Sequence, residues 1–279
     1  MTKALDSYEI KYDVNNRFKD YPQHKIKVHA SPDEMETFVR DGFLVRRNFI
    51  PPEWIEDFGA ALEEIIEEDK GKPKAEVYEG NGLYFRRLLE RNETFHRLIK
   101  YDPSLTVARA LLGPQVSFYV ESRVALAGVA DAGVAWHYHM AVIPDPLPPF
   151  FCYPHTMQGL IYLDEIGDKE GPLSVIPGSH IDNDPRRDYD GTYDTHPDEV
   201  QLKFSPGDCI LMHGNLWHKT TPTAADCGRR RLVLFGYAPS WLNDNTDHIG
   251  SETDSTLIDQ LRATDPEVDE LIAGRSLFT

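Results

Sequence analysis

Hydrophobic residues within 51–70 recur every three or four positions, which is the spacing of one face of an α-helix. The members of this face are Trp54, Phe58, Leu62, Ile65 and Ile66. Most of the other positions in the segment are acidic or small. The pattern therefore predicts an amphipathic helix whose acidic face is solvated.

A helix start signal stands at Ser31. Ser31 can cap the helix, Pro32 suits the first helical position, and Glu34 can complete a capping box. Gly42 is placed to end this helix. The same reasoning predicts a short strand over 43–50 and two further helices over 91–100 and 104–113.

From Val116 onward the pattern changes to short apolar or alternating runs separated by Gly, Pro and Asp, which is typical of strands and turns. The predicted strands lie within 116–126, 135–142, 156–165, 172–180, 200–214 and 229–239. Short strands after a helical front half predict an α+β chain, mainly β, built round a jelly roll or barrel with the N-terminal helices packed outside the sheet. We expect a single domain, with an N-terminal arm over 1–30, a mostly helical layer over 31–115, the β core over 116–240 and a C-terminal tail over 241–279.

The chain has 279 residues and a formal net charge of −17. Because phosphate binding requires clustered Lys and Arg, this charge argues against a nucleic-acid partner and against an anionic membrane surface. No apolar run approaches the roughly 18 residues that span a bilayer, and the N-terminus lacks the apolar segment of a signal peptide. Three cysteines without CxxC spacing favour reduced thiols, so we expect a cytoplasmic protein.

The stretch GVAWHYHMAV, residues 133–142, carries two histidines one residue apart, His137 and His139. Side chains at i and i+2 of a strand point to the same face, so both imidazoles can reach one metal ion. A single buried histidine is more often a hydrogen-bonded core residue, and a metal site needs a third ligand from a later strand. The candidates for that ligand are His155, His180, His213 and His218.

His218 is the informative candidate because of the residues around it. It lies ten residues after Asp208, at the predicted end of the strand that begins in the turn SPGD. Arg229 follows eleven residues later, at the predicted start of the next strand. A metal ligand and an inward arginine on neighbouring antiparallel strands would form a pocket for a bidentate carboxylate cosubstrate.

Three stretches resemble the phytanoyl-CoA dioxygenase family of Fe(II)/2-oxoglutarate oxygenases. FVRDGFLVRRNFIPPEWIEDF is similar to the family's opening helix, strand and helix, and GLIYLDEIGDKEGPLSVIPGSH is similar to its central block. SPGDCILMHGNLWH, with the arginine after it, is similar to the distal half of the family's iron and cosubstrate site. The resemblance extends from about residue 31 to about residue 240 and implies a double-stranded β-helix, the cupin-like form of the jelly roll.

The resemblance also implies roles for individual residues. His137 matches the first iron ligand, His218 the distal histidine ligand, and Arg229 the residue that pairs with the far carboxylate of 2-oxoglutarate. Arg231 would share a strand face with Arg229, whereas Arg230 would point the other way. The spacing from His218 favours Arg229 among the three.

His139 departs from the family pattern, in which the residue two after the first histidine is normally Asp or Glu. In one interpretation His139 is a ligand and the site consists of three neutral imidazoles. Such a site carries one more positive charge than a site with two histidines and one carboxylate. In a second interpretation His139 turns away and an exogenous anion or water takes its place. In a third, the protein no longer performs redox chemistry.

Several residues near the candidate site carry weaker signals. Gln158 shares a strand face with Tyr162 and is predicted to contact the cosubstrate, although the filling of a barrel interior would explain both residues as well. His213 is expected to pack beside the site, and His180 is expected to be structural. The proline-rich segment 140–155 is expected to cover the metal mouth.

These features predict an Fe(II)/2-oxoglutarate-dependent dioxygenase that uses O2 to hydroxylate or otherwise oxidise a small organic molecule. The predicted metal ligands are His137, His139 and His218, with no catalytic residue beyond the metal site. One alternative is a three-histidine iron dioxygenase that does not use 2-oxoglutarate. The other is a non-catalytic member of the family that keeps the pocket for ligand binding.

Overall fold

A computed structural model describes residues 7–11, 25–70, 82–139, 156–181, 191–240 and 256–273. The proline-rich segment 140–155, which was predicted to cover the metal mouth and which contains His155, lies outside the described residues.

The described residues form six α-helices, one 3-10 helix and twelve strands. The α-helices are α1 (Pro32–Asp41), α2 (Pro52–Glu68), α3 (Leu88–Arg91), α4 (Asp102–Leu112), α5 (Thr256–Thr264) and α6 (Pro266–Ala273), and the 3-10 helix is Glu93–Leu98. The strands are β1 (Tyr8–Lys11), β2 (Lys25–Val28), β3 (Phe43–Arg46), β4 (Leu83–Phe85), β5 (Val116–Ala125), β6 (Val134–His137), β7 (Met157–Tyr162), β8 (Leu173–Val175), β9 (Val200–Leu202), β10 (Cys209–His213), β11 (His218–Thr220) and β12 (Arg230–Pro239). None of the helices in these ranges is long and apolar enough to cross a membrane.

The eight strands from β5 to β12 form nested antiparallel pairs. Strand β5 pairs with β12, β6 with β11, β7 with β10 and β8 with β9. The strands divide between a six-stranded sheet, in the order β3-β10-β7-β12-β5-β4, and a four-stranded sheet, in the order β6-β11-β8-β9. A long hairpin that is wound into two sheets in this way is a double-stranded β-helix, so the predicted jelly roll is confirmed.

Side chains of the six-stranded sheet alternate between two cores, as the pleat requires. On the outer face, residues such as Phe235 belong to the same apolar cluster as Phe58 of α2 and Leu105 of α4. On the inner face, residues such as Leu160 and Leu232 pack with Leu173 of the four-stranded sheet. The helical layer therefore covers the outside of the sheet, as predicted, and the inner cluster fills the barrel.

Helix α1 begins and ends at the predicted residues. The hydroxyl of Ser31 accepts a hydrogen bond from the Glu34 backbone N–H at 3.2 Å, and the Glu34 carboxylate accepts one from the Ser31 N–H at 2.8 Å. Gly42 ends the helix with φ 85°, and a Cβ at this position would lie 2.5 Å from Nδ1 of His180. Glycine is therefore required here both by the left-handed backbone and by the close approach of the imidazole.

Two predicted elements differ from the structure. The third predicted helix is a 3-10 helix that begins after Asn92, whose side chain accepts from the Thr94 N–H at 3.0 Å. The prediction that His218 ends the strand that starts in the turn SPGD is wrong, because that strand, β10, ends at His213. A turn closed by the Leu216 N–H on the His213 carbonyl then carries the chain into the other sheet, where His218 begins β11.

Gly133, which precedes β6, controls how closely β6 and β11 approach. Its φ is 75°, and a Cβ there would lie 2.2 Å from the backbone oxygen of Thr220. We expect Gly133→Ala to lower the free energy of unfolding by more than about 2 kcal/mol, because backbone strain of roughly 1–2 kcal/mol adds to a clash with a backbone atom. The matched control is Gly128→Ala, which has φ 68° and no atom within 4 Å of the added Cβ. Urea denaturation measures both variants, and equal midpoints would contradict the clash.

Candidate metal centre

Two of the predicted ligands lie side by side on neighbouring strands. His137 is the last residue of β6 and His218 the first residue of β11. They are direct partners in the antiparallel register of these strands, and their ring centroids are 4.2 Å apart. The sequence brings them together because the nested pairing of the jelly roll places the end of β6 opposite the start of β11.

His139 lies two residues beyond His137, where β6 has already ended. Its backbone N–H donates to the carbonyl of Gly214 at 2.7 Å, which fixes this short extension beside the turn before β11. Its Nε2 is 3.1 Å from Nε2 of His218, and its ring centroid is 5.1 Å from that of His137. The structure therefore brings all three predicted metal ligands together.

The three imidazoles suit a transition-metal ion. His137, His139 and His218 each offer one ligand atom, and these atoms all lie within 4.8 Å of one another. With metal–nitrogen bonds of about 2.1 Å, two ligands at a right angle have nitrogens about 3 Å apart, which agrees with the 3.1 Å between His139 and His218. His218 is buried, His137 is half-buried and His139 is exposed. An ion here would therefore have protein on one side and accessible coordination positions on the other.

Backbone carbonyls orient two of the rings. Nδ1 of His137 is 2.7 Å from the carbonyl oxygen of Ala135, and Nδ1 of His218 is 2.8 Å from that of Leu216. Because a carbonyl oxygen can only accept a hydrogen bond, each Nδ1 carries the proton and each Nε2 carries a lone pair. Metal-bound histidines are commonly held by such contacts on the other ring nitrogen.

The electrostatic environment keeps His218 neutral. Burial lowers the pKa of His218 well below its usual value, and the neighbouring His137 and His139 lower it further. The neutral imidazole is the form that binds a metal.

Gln158, which was predicted to contact the cosubstrate, lies beside His139. Its side-chain nitrogen is 2.6 Å from Nδ1 of His139 and 3.1 Å from the hydroxyl of Tyr119 in β5. The observed contact is thus with a candidate metal ligand, and the role toward the cosubstrate stays a prediction.

The three consecutive arginines at the start of β12 separate by face, as their alternation predicts. Arg229 forms an ion pair with Glu63 of α2, and Arg231 pairs with Asp164 at 2.7 Å, so both guanidinium groups lie on the helical side of the sheet. Arg230 is fully buried on the inward face, the same face as Leu232. The structure therefore does not bring Arg229 to the histidines, which corrects the position predicted for its side chain. The reason is that the pleat of β12 directs Arg230 to the inner face with Leu232, and Arg229 and Arg231 to the helical face.

The inward arginine belongs to a buried ionic group that the sequence reasoning missed. Arg230 and Arg123 of β5 both reach one oxygen of Asp131, at 3.1 Å and 2.9 Å. Arg230 also donates to the carbonyl oxygens of Gly171 at 2.7 Å and Glu170 at 2.9 Å. The signal that could have indicated a polar interior is the pair of charged residues two positions apart in β5, Glu121 and Arg123, within an otherwise apolar run.

Two of the other candidate histidines lie outside the cluster. His180 and His213 are both buried, with ring centroids 4.9 Å apart. Nε2 of His180 donates to the carbonyl of Val39 at 2.9 Å, and burial lowers the pKa of its imidazole. His180 thus ties the turn after β8 to α1, which agrees with the structural role predicted for it.

The family model of phytanoyl-CoA dioxygenase (PhyH) matches residues 38–231 of this chain. The matched span contains the three clustered histidines and extends to the arginines of β12.

Individual proteins and solved structures are similar to this chain at 20–26% identity. Dioxygenase cdmA of Talaromyces verruculosus is 22% identical over 271 residues, covering 91% of this chain and 87% of that protein. Ectoine dioxygenase of Streptomyces coelicolor is 26% identical over 174 residues, covering 57% of this chain and 56% of that relative. The crystal structure of HygX from Streptomyces hygroscopicus with nickel and 2-oxoglutarate bound has a TM-score of 0.63 at 20% identity, covering 81% of this chain and 94% of that chain.

The family model spans well over half of the chain, and the fold and the histidine cluster agree with it. The chain therefore belongs to the phytanoyl-CoA dioxygenase family, as its motifs predicted, and is an Fe(II)/2-oxoglutarate-dependent oxygenase.

Proposed function

We propose that this chain oxidises a small organic molecule, by hydroxylation as the default outcome, at an iron ion held by His137, His139 and His218. The observation that carries the proposal is the convergence of three imidazoles within 4.8 Å at the mouth of the jelly roll. Imidazole nitrogen suits iron among other transition metals, and the family match supports iron.

The roles of the protein's own residues follow from their contacts. His137 and His218 present lone pairs fixed by the carbonyls of Ala135 and Leu216, so these two rings need no rearrangement to bind the ion. The buried side chains of Trp136, Ile176 and Trp217 form one apolar cluster of the four-stranded sheet, and Trp136 lies on the face opposite to the histidines. Bound iron would supply the redox centre at which O2 is reduced while 2-oxoglutarate is oxidatively decarboxylated.

A site of three imidazoles differs in charge from the usual pair of histidines with one carboxylate. Without the carboxylate, the bound ion keeps one more unit of positive charge. This charge strengthens the attraction for an anionic cosubstrate and makes oxidation of the metal less favourable. In both arrangements the protein would supply three ligands and leave the ion open to 2-oxoglutarate and O2.

Within this proposal Arg230, rather than Arg229, binds the far carboxylate of 2-oxoglutarate. Arg230 points into the barrel, whereas Arg229 is on the helical face with Glu63. Among the described residues, Nε of Arg230 is buried without a hydrogen-bond partner. Burial, followed by the neighbouring Arg123, lowers the pKa of Arg230 to about 10, so its charged form lacks full compensation. A carboxylate placed against it would supply that compensation.

The relatives indicate the size of the substrate. HygX has been crystallised with hygromycin B, and another relative is named for ectoine, so relatives of this fold act on or bind small polar molecules. We propose a substrate of that size.

Cys209 and Cys227 are free and buried, which supports a reducing, cytoplasmic location.

The alternative proposal is a three-histidine dioxygenase that does not use 2-oxoglutarate. The observation in its favour is His139, which occupies the position of the usual carboxylate and approaches His218 at ligand distance. A pocket retained only for ligand binding is the remaining alternative.

We expect the purified protein, loaded with Fe(II), to consume O2 and 2-oxoglutarate and to release succinate in equal amounts, even in slow turnover without substrate. His218→Ala should abolish both and lower the bound iron at least tenfold, because it removes the most buried ligand. Oxygen-electrode and succinate assays measure the coupling. Consumption of O2 without succinate would favour the 2-oxoglutarate-independent alternative, and absence of bound metal would favour the non-catalytic one.

Arg230 and Arg229 offer a matched comparison. We expect Arg230→Gln to weaken 2-oxoglutarate binding about 30-fold, or about 2 kcal/mol, because a buried charged hydrogen bond is lost. Arg229→Gln should change the affinity less than about two-fold, since its side chain lies on the opposite face. Calorimetric titration with anaerobic or nickel-loaded protein measures both, and Arg230→Lys, which keeps the charge, guards against misfolding. A loss confined to Arg229→Gln would contradict this assignment.

We expect His139→Asp to retain or tighten Fe(II) binding, because an aspartate restores the usual carboxylate donor and offsets one unit of charge at the ion. Metal analysis and equilibrium dialysis measure the affinity, and circular dichroism verifies the fold. A folded variant that binds no metal would show that the imidazole itself is required.

A further inference from the structure

Strand β6 contains a β-bulge directly before the candidate ligand His137. His137 lies opposite His218 on β11, whereas Val134 lies opposite Thr220. Three residue steps in β6 therefore match two steps in β11, so β6 has one extra residue between the two pairs. Because of that extra residue, His137 and Val134 face the same side of the sheet although they are three positions apart.

The bulge decides which residue of β6 faces the barrel. If β6 continued from Val134 with regular alternation, Trp136 would lie opposite His218 and its indole would point into the barrel. His137 would then point outward. The observed register instead places His137 opposite His218, with the carbonyl oxygen of Ala135 2.7 Å from the ring nitrogen Nδ1 of His137. The bulge is therefore what brings this imidazole into the candidate metal centre.

A buried lysine lies opposite the bulge. Lys219 is 2% exposed and stands between the two register pairs, on the outer face of β11. Its ammonium is 4.6 Å from the ring centroid of Trp136 and 2.7 Å from the carboxylate of Glu199. It also donates to the carbonyls of Tyr193 at 3.2 Å and Asp194 at 2.9 Å. These three acceptors match the three N–H groups of an ammonium.

The segment 191–199, which we call the strap, holds Trp136 from the same outer side. The indole N–H of Trp136 donates to the carbonyl of Asp194 at 2.8 Å. The backbone N–H of Trp136 donates to the Thr192 carbonyl at 2.9 Å, and its carbonyl accepts from the Gly191 N–H at 3.0 Å. The side chain of Trp136 is fully buried. The indole therefore cannot turn into the barrel unless these contacts break.

We propose that Lys219 is a positioning residue for the metal centre. Together with Glu199 and the strap it holds Trp136 on the outer face, which maintains the bulge that turns His137 into the barrel. The proposal rests on the proposed function in one respect, the assignment of His137 as a metal ligand. A buried ion pair is suited to this task, because it adds little net stability, whereas a register that leaves its charge buried and unpaired is strongly disfavoured.

Single and double substitutions separate positioning from stability. Lys219→Met should lower the urea midpoint, because it leaves the largely buried carboxylate of Glu199 without its cation. The double variant, Lys219→Met with Glu199→Met, removes both charges and should restore the midpoint. Its Zn2+ binding should nevertheless stay at least about ten-fold weaker than that of the native protein, as expected when the support of a metal ligand is removed. Equilibrium dialysis measures the affinity, and native Zn2+ affinity in the double variant would overturn the proposal.

Deletion of Ala135 provides a rescue that a purely structural role would not give. Without this residue, regular alternation from Val134 would itself place His137 opposite His218. In that background the two methionine substitutions should no longer weaken Zn2+ binding. An equal loss of affinity with and without Ala135 would contradict the proposal, because the effect would then not depend on the bulge.

The matched control is Lys203→Met. Lys203 directly follows β9 of the same sheet, and its ion pair with Asp168 is exposed. This substitution should change neither the urea midpoint nor the Zn2+ affinity.

Amide hydrogen exchange tests the native protein without any substitution. Because coupling between two sites is reciprocal, Zn2+ should slow exchange of the Trp136 and Gly191 amides at least about five-fold. The comparison amide is that of Gly113, which bonds to the Arg109 carbonyl at the end of α4 and should be unaffected. Unchanged exchange of the Trp136 and Gly191 amides in zinc-loaded protein would reject the coupling.

The outcomes distinguish this proposal from the proposed function. Zn2+ binding that depends on Lys219, together with absence of succinate release from the iron-loaded protein, would leave the positioning role standing and reject the oxygenase reaction. Succinate release, together with native Zn2+ affinity in the double variant, would do the reverse. If the native protein binds neither Zn2+ nor Fe(II), both proposals fail.

Discussion

The pairing of His137 with His218 across β6 and β11 is the constraint on which the candidate site depends. The opposite face of the same two strands holds it in place. Lys219 is buried there, with its ammonium 4.6 Å from the ring centroid of Trp136 and 2.7 Å from the carboxylate of Glu199. Because successive residues of a strand point to opposite faces, fixing Trp136 and Lys219 outward fixes the two histidines toward the barrel. If the strands slipped by one residue, Trp136 and Lys219 would face the barrel in place of His137 and His218. The ammonium of Lys219 would then lie in the candidate metal site.

His139 is held by a different kind of contact. It follows the end of β6, so strand pairing does not define its ring, and it depends instead on the Gly214 carbonyl and the Gln158 amide. The fold thus specifies two candidate ligand positions through strand register, and the third through one backbone hydrogen bond outside the strands and one side-chain contact. A position that is specified in this way can exchange one donor type for another without disturbing the sheets. This explains how a histidine can stand where the family usually has a carboxylate while the jelly roll is unchanged.

The fold and the histidine cluster could be predicted from the sequence, because the spacing of two residues in a strand and the motif around His218 are local signals. The inward position of Arg230 could not be predicted. Strand β12 is buried on both faces, with Leu232 on the inner face and Val233 on the outer one. Its hydrophobic pattern therefore does not show whether the even- or the odd-numbered residues face the barrel. The choice between Arg229 and Arg230 depends on partners distant in sequence, Glu63 and Asp131. The contact between Tyr119 and Gln158 was equally hidden, since it requires the register of three strands.

The net charge of the chain bears on the charges within the candidate site. The chain carries a net charge of −17, and 2-oxoglutarate is a dianion, so the long-range field of the protein opposes its approach. Salt screens that field beyond about 8 Å, and attraction must then come from cations inside the barrel. The inward Arg230 and Arg123, which share the single carboxylate of Asp131, supply such charge, and a metal ion that lacks a carboxylate ligand would be a stronger source. The stabilisation of oxidised iron calls for negative ligands, whereas the capture of an anionic cosubstrate by an acidic protein calls for positive charge. These two requirements conflict at residue 139, and a neutral imidazole there favours the second of them.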